Sequence, residues 1–340
     1  MKQLRIAFVS SSPSIRRFRR DASFIYRCEN LAHGLVHLGH KVSLLHITAL
    51  LIRSDFDIAV FLRPQRSWLF DHVTDRLRAR GTLLVGDADD LIFDPACAQF
   101  RPSVRNDLAD ESRVRRGFAL NAEALAKMDK IQFSTGELER RYLALNPQAE
   151  CTVIPNSGFR LWHAIPAGKP PLERDISYFS GTRTHDRDFS IVAPVLERLL
   201  RRHHDLKIRV VGPVSLDVDH QRVFKIQKVP FKNYPDVVGA SYLSIAPLED
   251  TPFNQCKSAL KTLEAGMMNV PTVVSSVGDY AKINMFGVLH AKSADEWEHQ
   301  LEFALDRNNR KQLSEGLRER TLELANVDVF AQNFLRFVSH

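Results

Sequence analysis

Short apolar runs recur along the chain, and each run ends at polar, proline or glycine positions. These runs are rich in β-branched residues and alternate with longer stretches of helical periodicity, which predicts parallel strands joined by helices. In the first half the predicted strands are 5–10, 41–46, 56–62, 82–87, 130–135 and 151–155. In the second half they are 176–180, 207–211, 223–229, 243–247, 272–275 and 288–290. The predicted fold class is α/β, with two Rossmann-like, doubly wound parallel sheets that face each other across a cleft.

Helical periodicity fills the intervals between the strands, and one interval breaks the pattern. The predicted helices include 25–38, 68–79, 138–145, 189–202 and 310–325. Asp188 is the predicted N-cap of the fourth of them. Residues 165–171 contain three prolines and a glycine, which oppose both helix and strand, so this segment is a predicted linker. The first domain would then be 1–164 and the second 172–325.

Composition limits the chain to a soluble, globular class. Its 340 residues suit two domains, 44% of them are hydrophobic and 26% are charged. No apolar run approaches the roughly 18 residues that span a bilayer, and the start lacks the apolar core of a signal peptide. The four cysteines have no zinc-ligand spacing. They predict reduced thiols in a cytoplasmic protein.

The positive charge is concentrated in the first half. Residues 1–160 hold 24 Lys and Arg against 18 Asp and Glu, which is +6 of the net +7. This asymmetry favours an anionic partner, such as a membrane surface or a lipid diphosphate, although a solvated basic surface has the same composition. No motif of a nucleic-acid-binding module is present, so nucleic acid is not an expected partner. The loop with Arg16, Arg17, Arg19 and Arg20 is the predicted anion- or acceptor-binding side.

The segment after strand 243–247 carries the most chemical information. Asn254 is a suitable N-cap, and a helix beginning there would carry Lys257, Lys261 and Glu264 on one face. A lysine in a first helical turn faces the positive end of the helix dipole, which an anion would compensate. This row of three side chains would fit a diphosphate at the two lysines and a ribose at the carboxylate of Glu264. An ordinary surface pair of Lys261 and Glu264 is the alternative.

This segment resembles the donor-site signature of the GT-B nucleotide-sugar glycosyltransferases, specifically their family 4-like group. The similar residues are Phe253-Asn254, Lys257-Ser258, Lys261, Glu264-Ala265-Gly266, 270–275 and Gly278-x-Tyr280. The resemblance implies a donor site that contains Asn254, Lys257, Ser258, Lys261 and Tyr280. It implies that Glu264 holds the donor ribose, and that a C-terminal segment, 326–340, returns to the first domain.

One residue departs from the pattern of that group. The first glutamate of its Glu-x7-Glu pair falls at Cys256. In many members that glutamate lies near the transferred sugar. Lys257, Asn254 or Glu249 would then take over part of its role here. The resemblance favours retention of the anomeric configuration, whereas Cys256 and a cluster of aspartates leave inversion open.

The loop after strand 176–180 is a second candidate for donor binding. Gly181 would let the backbone approach a ligand, and the guanidinium of Arg183 can bind a diphosphate. The loop resembles the phosphate-contacting loop that opens the donor domain in the same group. His185, which lies in this loop, is expected to be a solvated residue.

Three carboxylates, Asp87, Asp89 and Asp90, lie at the end of strand 82–87. Clustered carboxylates raise one another's pKa, which suits Asp89 or Asp90 as a general base on an acceptor hydroxyl. An Asp-x-Asp metal site is a competing interpretation, and capping of the following segment is another. If lysine and arginine stabilise the leaving group, no metal or other cofactor is needed.

Together these features predict a glycosyltransferase that moves a sugar from a nucleotide-diphosphate sugar to a hydroxyl of a glycan or lipid-linked acceptor. Assembly of a cell-surface polysaccharide, by a cytoplasmic and peripherally membrane-bound enzyme, is the expected setting. A nucleotide-sugar 2-epimerase of related fold is one alternative. A non-catalytic protein that binds nucleotide-sugars is the other, because Cys256 replaces the glutamate.

Overall fold

The computed structural model describes residues 2–166, 171, 173–215, 218 and 221–339. Within these ranges, twelve strands form two six-stranded sheets. The first sheet contains β1 (Arg5–Ser10), β2 (Lys41–His46), β3 (Ile58–Leu62), β4 (Leu83–Ala88), β5 (Lys130–Phe133) and β6 (Cys151–Val153). The second contains β7 (Asp175–Phe179), β8 (Lys207–Val211), β9 (Val223–Ile226), β10 (Leu243–Ala246), β11 (Thr272–Ser275) and β12 (Val288–Ala291).

Both sheets are parallel throughout, with strand orders β2-β1-β3-β4-β5-β6 and β12-β11-β10-β7-β8-β9. Each predicted strand is present, and its ends differ from the prediction by at most three residues. The two-sheet α/β fold is therefore confirmed. Residues 167–170 of the predicted linker lie outside the described residues.

Helices cover both faces of the sheets. In chain order they are α1 (Ala22–Phe24), α2 (Asn30–His37), α3 (Trp68–Arg78), α4 (Pro102–Arg105), α5 (Glu111–Leu125), α6 (Gly136–Leu145), α7 (Asp186–Ser190), α8 (Ala193–Arg202), α9 (Tyr234–Gly239), α10 (Leu260–Met267), α11 (Ala294–Leu305), α12 (Arg307–Ser314), α13 (Leu317–Leu324) and α14 (Val327–Ser339). Successive side chains of β1 point to opposite faces of the first sheet. Phe8 packs in the cluster with α2 and α14, whereas Val9 packs in the cluster with α3 and α5.

Three predicted helices are divided in the structure. The first, predicted over 25–38, contains a π-helical turn at Ile25–Glu29 between α1 and α2. The helix predicted over 189–202 begins at Asp186 as α7 and continues as α8, so Asp188 lies inside a helix and is not its N-cap. The third, predicted over 310–325, is interrupted at Gly316, whose φ of 63° favours glycine.

The last helix, α14, packs against the first sheet. Ala331 and Phe334 belong to the same buried cluster as Phe8. Gly34 on α2 permits this approach, because a Cβ there would lie 2.9 Å from the Cβ of Ala331. Residues at the end of the chain therefore contribute to the core of the first domain.

The two domains are closely joined near β10. Phe253 and Cys256, which follow β10, are buried in the apolar cluster of the first domain. The hydroxyl of Thr135 donates to the carbonyl of Cys256 at 3.2 Å. Burial raises the pKa of the Cys256 thiol to about 12. This cysteine therefore serves as a neutral apolar side chain at the domain interface.

None of the helices in the described ranges is long and apolar enough to cross a membrane. The four cysteines are all free thiols, and Cys28 and Cys97 are buried like Cys256.

Candidate functional site

The carboxyl ends of β4 and β10 meet at the boundary between the two domains. Asp90, just after β4, accepts a hydrogen bond from Lys257 Nζ at 2.5 Å. Ligands of parallel sheets bind at the carboxyl ends of strands, so this ion pair lies where a site is expected. The structure therefore brings together two of the three residues predicted to be catalytic.

Asp89, the third, is held by an arginine from the neighbouring strand end. Arg63 follows β3, and its Nε donates to Asp89 at 2.5 Å while its other arm donates to Asp90 at 2.7 Å. The backbone of Arg63 has a φ of 45°, an uncommon conformation for a residue other than glycine. Such strain persists where surrounding contacts fix the residue, as these two ion pairs do.

The raised pKa predicted for the clustered aspartates is contradicted at Asp89, whereas its role as a general base stays a prediction. Burial alone would raise the pKa of this carboxyl, but the charge and hydrogen bond of Arg63 lower it to about 2. The neighbouring Asp87 does have a raised pKa, caused by burial, although it is paired with the buried Arg27 at 3.0 Å. Arginine partners, which the sequence argument did not include, decide the charge of Asp89.

The loop before α10 differs from the prediction. Residues Asn254–Cys256 form a 3₁₀ turn, Lys257 is extended, and the helix begins only at Leu260. Asn254 is thus not the N-cap of this helix, and Lys257 does not share a helical face with Lys261. The loop takes this path because Phe253 and Cys256 are buried in the first domain.

Gly278, part of the Gly-x-Tyr motif, supports this loop. Its φ is 59°, and a Cβ there would lie 2.8 Å from the carbonyl of Asn254 and 3.0 Å from that of Lys257. Tyr280, two residues later, is buried, and the backbone of Lys261 acts on the pKa of its hydroxyl. The motif therefore holds the lysine-bearing loop and helix in place.

Lys261 is a partly buried ammonium group on α10. Its Nζ lies 4.9 Å from the ring centroid of Tyr178, and it has no hydrogen bond to a carboxylate among the described residues. Burial lowers its pKa to about 8; the charges of Asp188 and Glu264 oppose the shift, and the charge of Lys257 adds to it. An anion placed here would stabilise the ammonium form.

Glu264, one turn further along α10, is 7% exposed and is bound by two tyrosines. Tyr26 of the first domain donates to Oε1 at 2.5 Å, and Tyr234 of the second domain donates to Oε2 at 3.1 Å. Burial raises the pKa of Glu264 to about 7, although the two hydrogen bonds and the charge of Lys261 oppose the shift. This carboxyl therefore gains and loses its proton much closer to neutral pH than an exposed glutamate does.

Asn254 and Ser258 are engaged by protein groups. The amide nitrogen of Asn254 donates to Asp188 at 3.1 Å and to the carbonyl of Glu249 at 3.0 Å, while its Oδ1 is buried and has no partner in the part of the chain that the structure describes. The hydroxyl of Ser258 accepts from Asn156 of the first domain at 2.7 Å. Glu249, the third residue considered as a replacement for the missing glutamate, accepts both arms of Arg105, with Nε at 2.8 Å.

The loop after β7 is exposed at Gly181 and Arg183. The carbonyl of Gly181 accepts from Lys228 Nζ at 3.2 Å. His185 differs from the expectation of a solvated residue, because its side chain is 17% exposed and hydrogen-bonded to Asp188. The structure thus places Arg183 on the surface of the loop and His185 on its inner side.

The basic loop after β1 contains four exposed arginines, Arg16, Arg17, Arg19 and Arg20. Arg19 forms an ion pair with Glu29 at 3.3 Å. Because β1 is in the first sheet, the loop lies at the same edge as Asp89 and Asp90. That this loop binds the acceptor or another anion stays a prediction.

Within the described ranges, no three His, Cys, Asp or Glu side chains are grouped as a metal site would require. Asp87 and Asp89 of the Asp-x-Asp motif have arginine partners, Arg27 and Arg63. A reaction without a metal or other cofactor stays a prediction.

Sequence reasoning missed four residues of this site: Arg63, Tyr26, Tyr234 and Asp188 as a buried acceptor. Arg63 follows predicted strand 56–62 directly. The rule that drew attention to Asp89 and Asp90, polar residues at strand ends, would have found it. The Tyr26–Glu264 contact joins residues 238 apart and has no local signal.

No sequence-family model and no curated protein matches the chain by sequence. Solved structures do match it over nearly its whole length. Sucrose-phosphate synthase from Thermosynechococcus elongatus is 14% identical, with a TM-score of 0.68 over 99% of this chain and 98% of that one. HepE from Anabaena, in complex with UDP-glucose, is 11% identical, with a TM-score of 0.61 over 99% and 100%. AviGT4, a glycosyltransferase involved in avilamycin A biosynthesis, is 13% identical, with a TM-score of 0.62 over 98% and 96%.

These similarities extend across both domains and show that the fold is the GT-B glycosyltransferase fold, as the sequence predicted.

Proposed function

We propose that this chain is a glycosyltransferase, in which the second domain binds a nucleotide-diphosphate sugar and the first domain presents the acceptor hydroxyl. The observation that carries the proposal is Lys261, a partly buried ammonium that has no hydrogen bond to a carboxylate among the described residues, although the charges of Asp188 and Glu264 act on it. A buried charge is costly unless it is paired, and a diphosphate would supply the partner. The GT-B fold supports this position for a nucleotide, and HepE, a neighbour in structure, was solved with UDP-glucose.

The roles follow from charge and position. Lys257 and Lys261 would stabilise the diphosphate that leaves, with Arg183 as a further cation on the adjacent loop. Glu264 would hold the ribose, whose hydroxyls would replace the bonds that the tyrosines now donate. Asp90, linked to Lys257, would face the acceptor.

The proposed setting rests on the resemblance and on charge. Transfer with retention of configuration, in the assembly of a cell-surface glycan, agrees with the group that the donor-site motif resembles. The four arginines after β1 would bind a lipid-linked acceptor or the inner surface of a membrane. A cytoplasmic location agrees with four free thiols.

Titration calorimetry with UDP-, GDP- and dTDP-sugars tests the donor site. Lys261→Met removes the charge, and Lys311→Met, on the exposed surface of α12, is the matched control. A lost charged hydrogen bond of about 1.5–3 kcal/mol should weaken binding about 10- to 100-fold in the first variant only. Equal affinity in both variants, or no binding to any nucleotide-sugar, would contradict the proposal.

Product analysis separates transfer from the alternatives. Mass spectrometry of a donor incubated with hydroxyl acceptors should show a new glycoside, or slow release of free sugar without one. Conversion of the sugar to its 2-epimer would instead indicate the epimerase. Binding without any turnover across the acceptor panel would indicate a non-catalytic protein.

A further inference from the structure

A histidine–aspartate pair lies in the second domain beside the two lysines. His185 Nδ1 and Asp188 Oδ2 are hydrogen-bonded at 2.8 Å, and the two side chains are 17% and 4% exposed. An ionised carboxylate only accepts hydrogen bonds, so the ring proton resides on Nδ1. In the neutral ring, Nε2 is then left as an acceptor that a second proton can occupy.

Asp188 is held rigidly by the loop that leads to Lys257. Its Oδ1 accepts from the backbone N–H of Glu249 at 2.9 Å and from the amide of Asn254 at 3.1 Å. These two contacts join the segment after β7 to the loop after β10. The orientation of the His185 ring is therefore fixed relative to Lys257.

Contacts from the first domain fix the other side of the same loop. Asn106, after α4, donates to the carbonyl of Thr184 at 3.0 Å and accepts from the backbone N–H of Arg187 at 3.3 Å. Both contacts flank His185 in the chain. The histidine thus lies in a segment that both domains position.

The charges around His185 come from several elements. Lys257 and Lys261 lie within electrostatic reach of it, and the carboxylate of Asp188 faces its Nδ1. Arg105 of the first domain acts on Asp188, and it binds Glu249. Burial lowers the pKa of His185, the two lysines lower it further, and Asp188 opposes them. His185 is therefore neutral in the free protein at pH 7.

A diphosphate at the lysines would reverse this balance. Its negative charge offsets the two ammonium groups and favours a cationic ring. We infer that His185 is a diphosphate-binding residue that takes up one proton from solvent when the nucleotide-sugar binds, and that Asp188 is its positioning residue. This inference rests on the proposed donor site.

The proton balance is closed by solvent. In the free protein Nε2 is unprotonated; on binding, a proton from water or buffer joins Nε2, and the imidazolium donates Nε2–H to a phosphate oxygen. No covalent bond to His185 forms. When the nucleotide diphosphate dissociates, the proton returns to solvent.

Calorimetry in two buffers measures this proton. A panel of UDP-, GDP- and dTDP-sugars is used, because the diphosphate of a nucleotide-sugar is esterified at both ends and does not itself titrate near neutral pH. The tightest binder is titrated at pH 7 in PIPES and in Tris at equal ionic strength. The dependence of the binding enthalpy on the ionisation enthalpy of the buffer gives the number of protons taken up.

Two variants isolate the contribution of His185. His185→Gln keeps an amide donor near the position of Nε2 but cannot gain a proton. His203→Gln, at the end of α8 where the histidine pairs with Glu302 at 2.7 Å, is the matched control. Wild type and the control should take up the same fraction of a proton, and His185→Gln should take up less. Uptake that remains in His185→Gln belongs to Lys261 or Glu264.

The effect on affinity has a defined sign. Because the pKa of His185 is low in the free protein and higher in the complex, His185 strengthens binding as the pH falls from 8 to 6. This increase in affinity at lower pH should be absent in His185→Gln. Asp188→Asn removes the carboxylate charge that raises the pKa of His185, so the increase in affinity should move to lower pH. If Asp188→Asn does not fold, the comparison of His185→Gln with His203→Gln decides the question.

The outcomes separate this inference from the proposed function. Tight binding with equal proton uptake in wild type and His185→Gln would overturn the role of His185 and leave the donor site intact. Failure of every nucleotide-sugar to bind wild type would overturn the proposed function and this inference with it.

Discussion

Two carboxyl groups with little exposed surface, Asp89 of the first domain and Glu264 of the second, have opposite charge properties. The pKa of Asp89 is about 2, whereas that of Glu264 is about 7. Burial acts on both in the same direction. Asp89 is bound by the guanidinium of Arg63, and Glu264 is bound by the neutral hydroxyls of Tyr26 and Tyr234.

The difference shows that the type of partner decides what a buried carboxyl can do. A cationic partner fixes Asp89 as an anion that orders the strand ends of the first domain. Neutral partners leave Glu264 able to change its charge and its hydrogen bonds when a ligand arrives. The first domain therefore presents a rigid arrangement of charges, and the second presents an adjustable one.

Replacement of Arg63 should give the largest effect, on stability. Arg63→Met leaves Asp89 without its hydrogen-bonded cation, which costs about 2–4 kcal/mol; the value is below that of a fully buried pair because the Arg63 side chain is 34% exposed. Urea denaturation at pH 7 measures it. Arg66→Met, which breaks exposed pairs with Asp71 and Glu123, should cost less than about 1 kcal/mol.

A second substitution sharpens that result. Asp89→Asn in the Arg63→Met background removes the unpaired charge, so part of the lost stability should return. If Arg63→Met and Arg66→Met cost the same, Asp89 does not depend on its arginine and the contrast with Glu264 is lost.

Glu264→Ala should have the next largest effect, on donor affinity. It removes the acceptor proposed for the ribose and leaves the hydroxyls of Tyr26 and Tyr234 without their partner. Affinity for the tightest nucleotide-sugar should fall about 10- to 100-fold in calorimetry, from the loss of about 1.5–3 kcal/mol. Glu319→Ala, at an exposed position of α13, should bind as wild type does.

Stability should depend on pH through Glu264 with a sign opposite to that of Asp89. The folded-state pKa of Glu264 is raised from 4.5 to about 7, so the folded protein binds more protons between these values. This group therefore contributes stability at pH 4.5 that is lost as the pH rises to 7, by about 2 kcal/mol. Asp89, with a lowered pKa, contributes stability above pH 4 that is lost as the pH falls to 2.

Glu264→Gln isolates this component, because an amide does not titrate in that range. The difference in the free energy of unfolding between wild type and the variant should shrink or reverse from pH 5 to pH 8. A difference that stays constant over this range would show that Glu264 is ionised throughout.

Tyr26→Phe should give the smallest effect. It removes one hydrogen bond to the ionised form of Glu264, which raises the pKa of that carboxyl further and costs about 1 kcal/mol of stability. The midpoint of the pH-dependent difference described for Glu264→Gln should move upward. Tyr142→Phe, a buried tyrosine of α6 in the first domain, is the control and should leave the midpoint unchanged.

The sequence predicted the sheets well because strand signals are local. Alternation and β-branched runs appear within four to six residues, and tertiary contacts did not override them at any of the twelve strands. The predicted start of α10 was wrong because the path of the chain there depends on contacts that are not local. Asn254 is a good N-cap by local preference, but burial of Phe253 and Cys256 in the other domain determines the path of the chain.

The site was predictable only in part. Lys257, Asp89 and Asp90 were found because polar residues at strand ends converge in a parallel fold. The charge of Asp89 was not predictable without Arg63, and Tyr26 reaches Glu264 across 238 residues of sequence. The parts of the site that depend on contacts between residues far apart in the chain therefore could not be predicted from a single sequence.

A crystal structure of the protein with UDP-glucose or the tightest-binding nucleotide-sugar tests the donor site most directly. The diphosphate should lie against Lys261 and Lys257, and the ribose should accept or donate hydrogen bonds at Glu264 in place of Tyr26 and Tyr234. A nucleotide bound elsewhere, with Glu264 still held by both tyrosines and Lys261 free of phosphate, would contradict the proposed function.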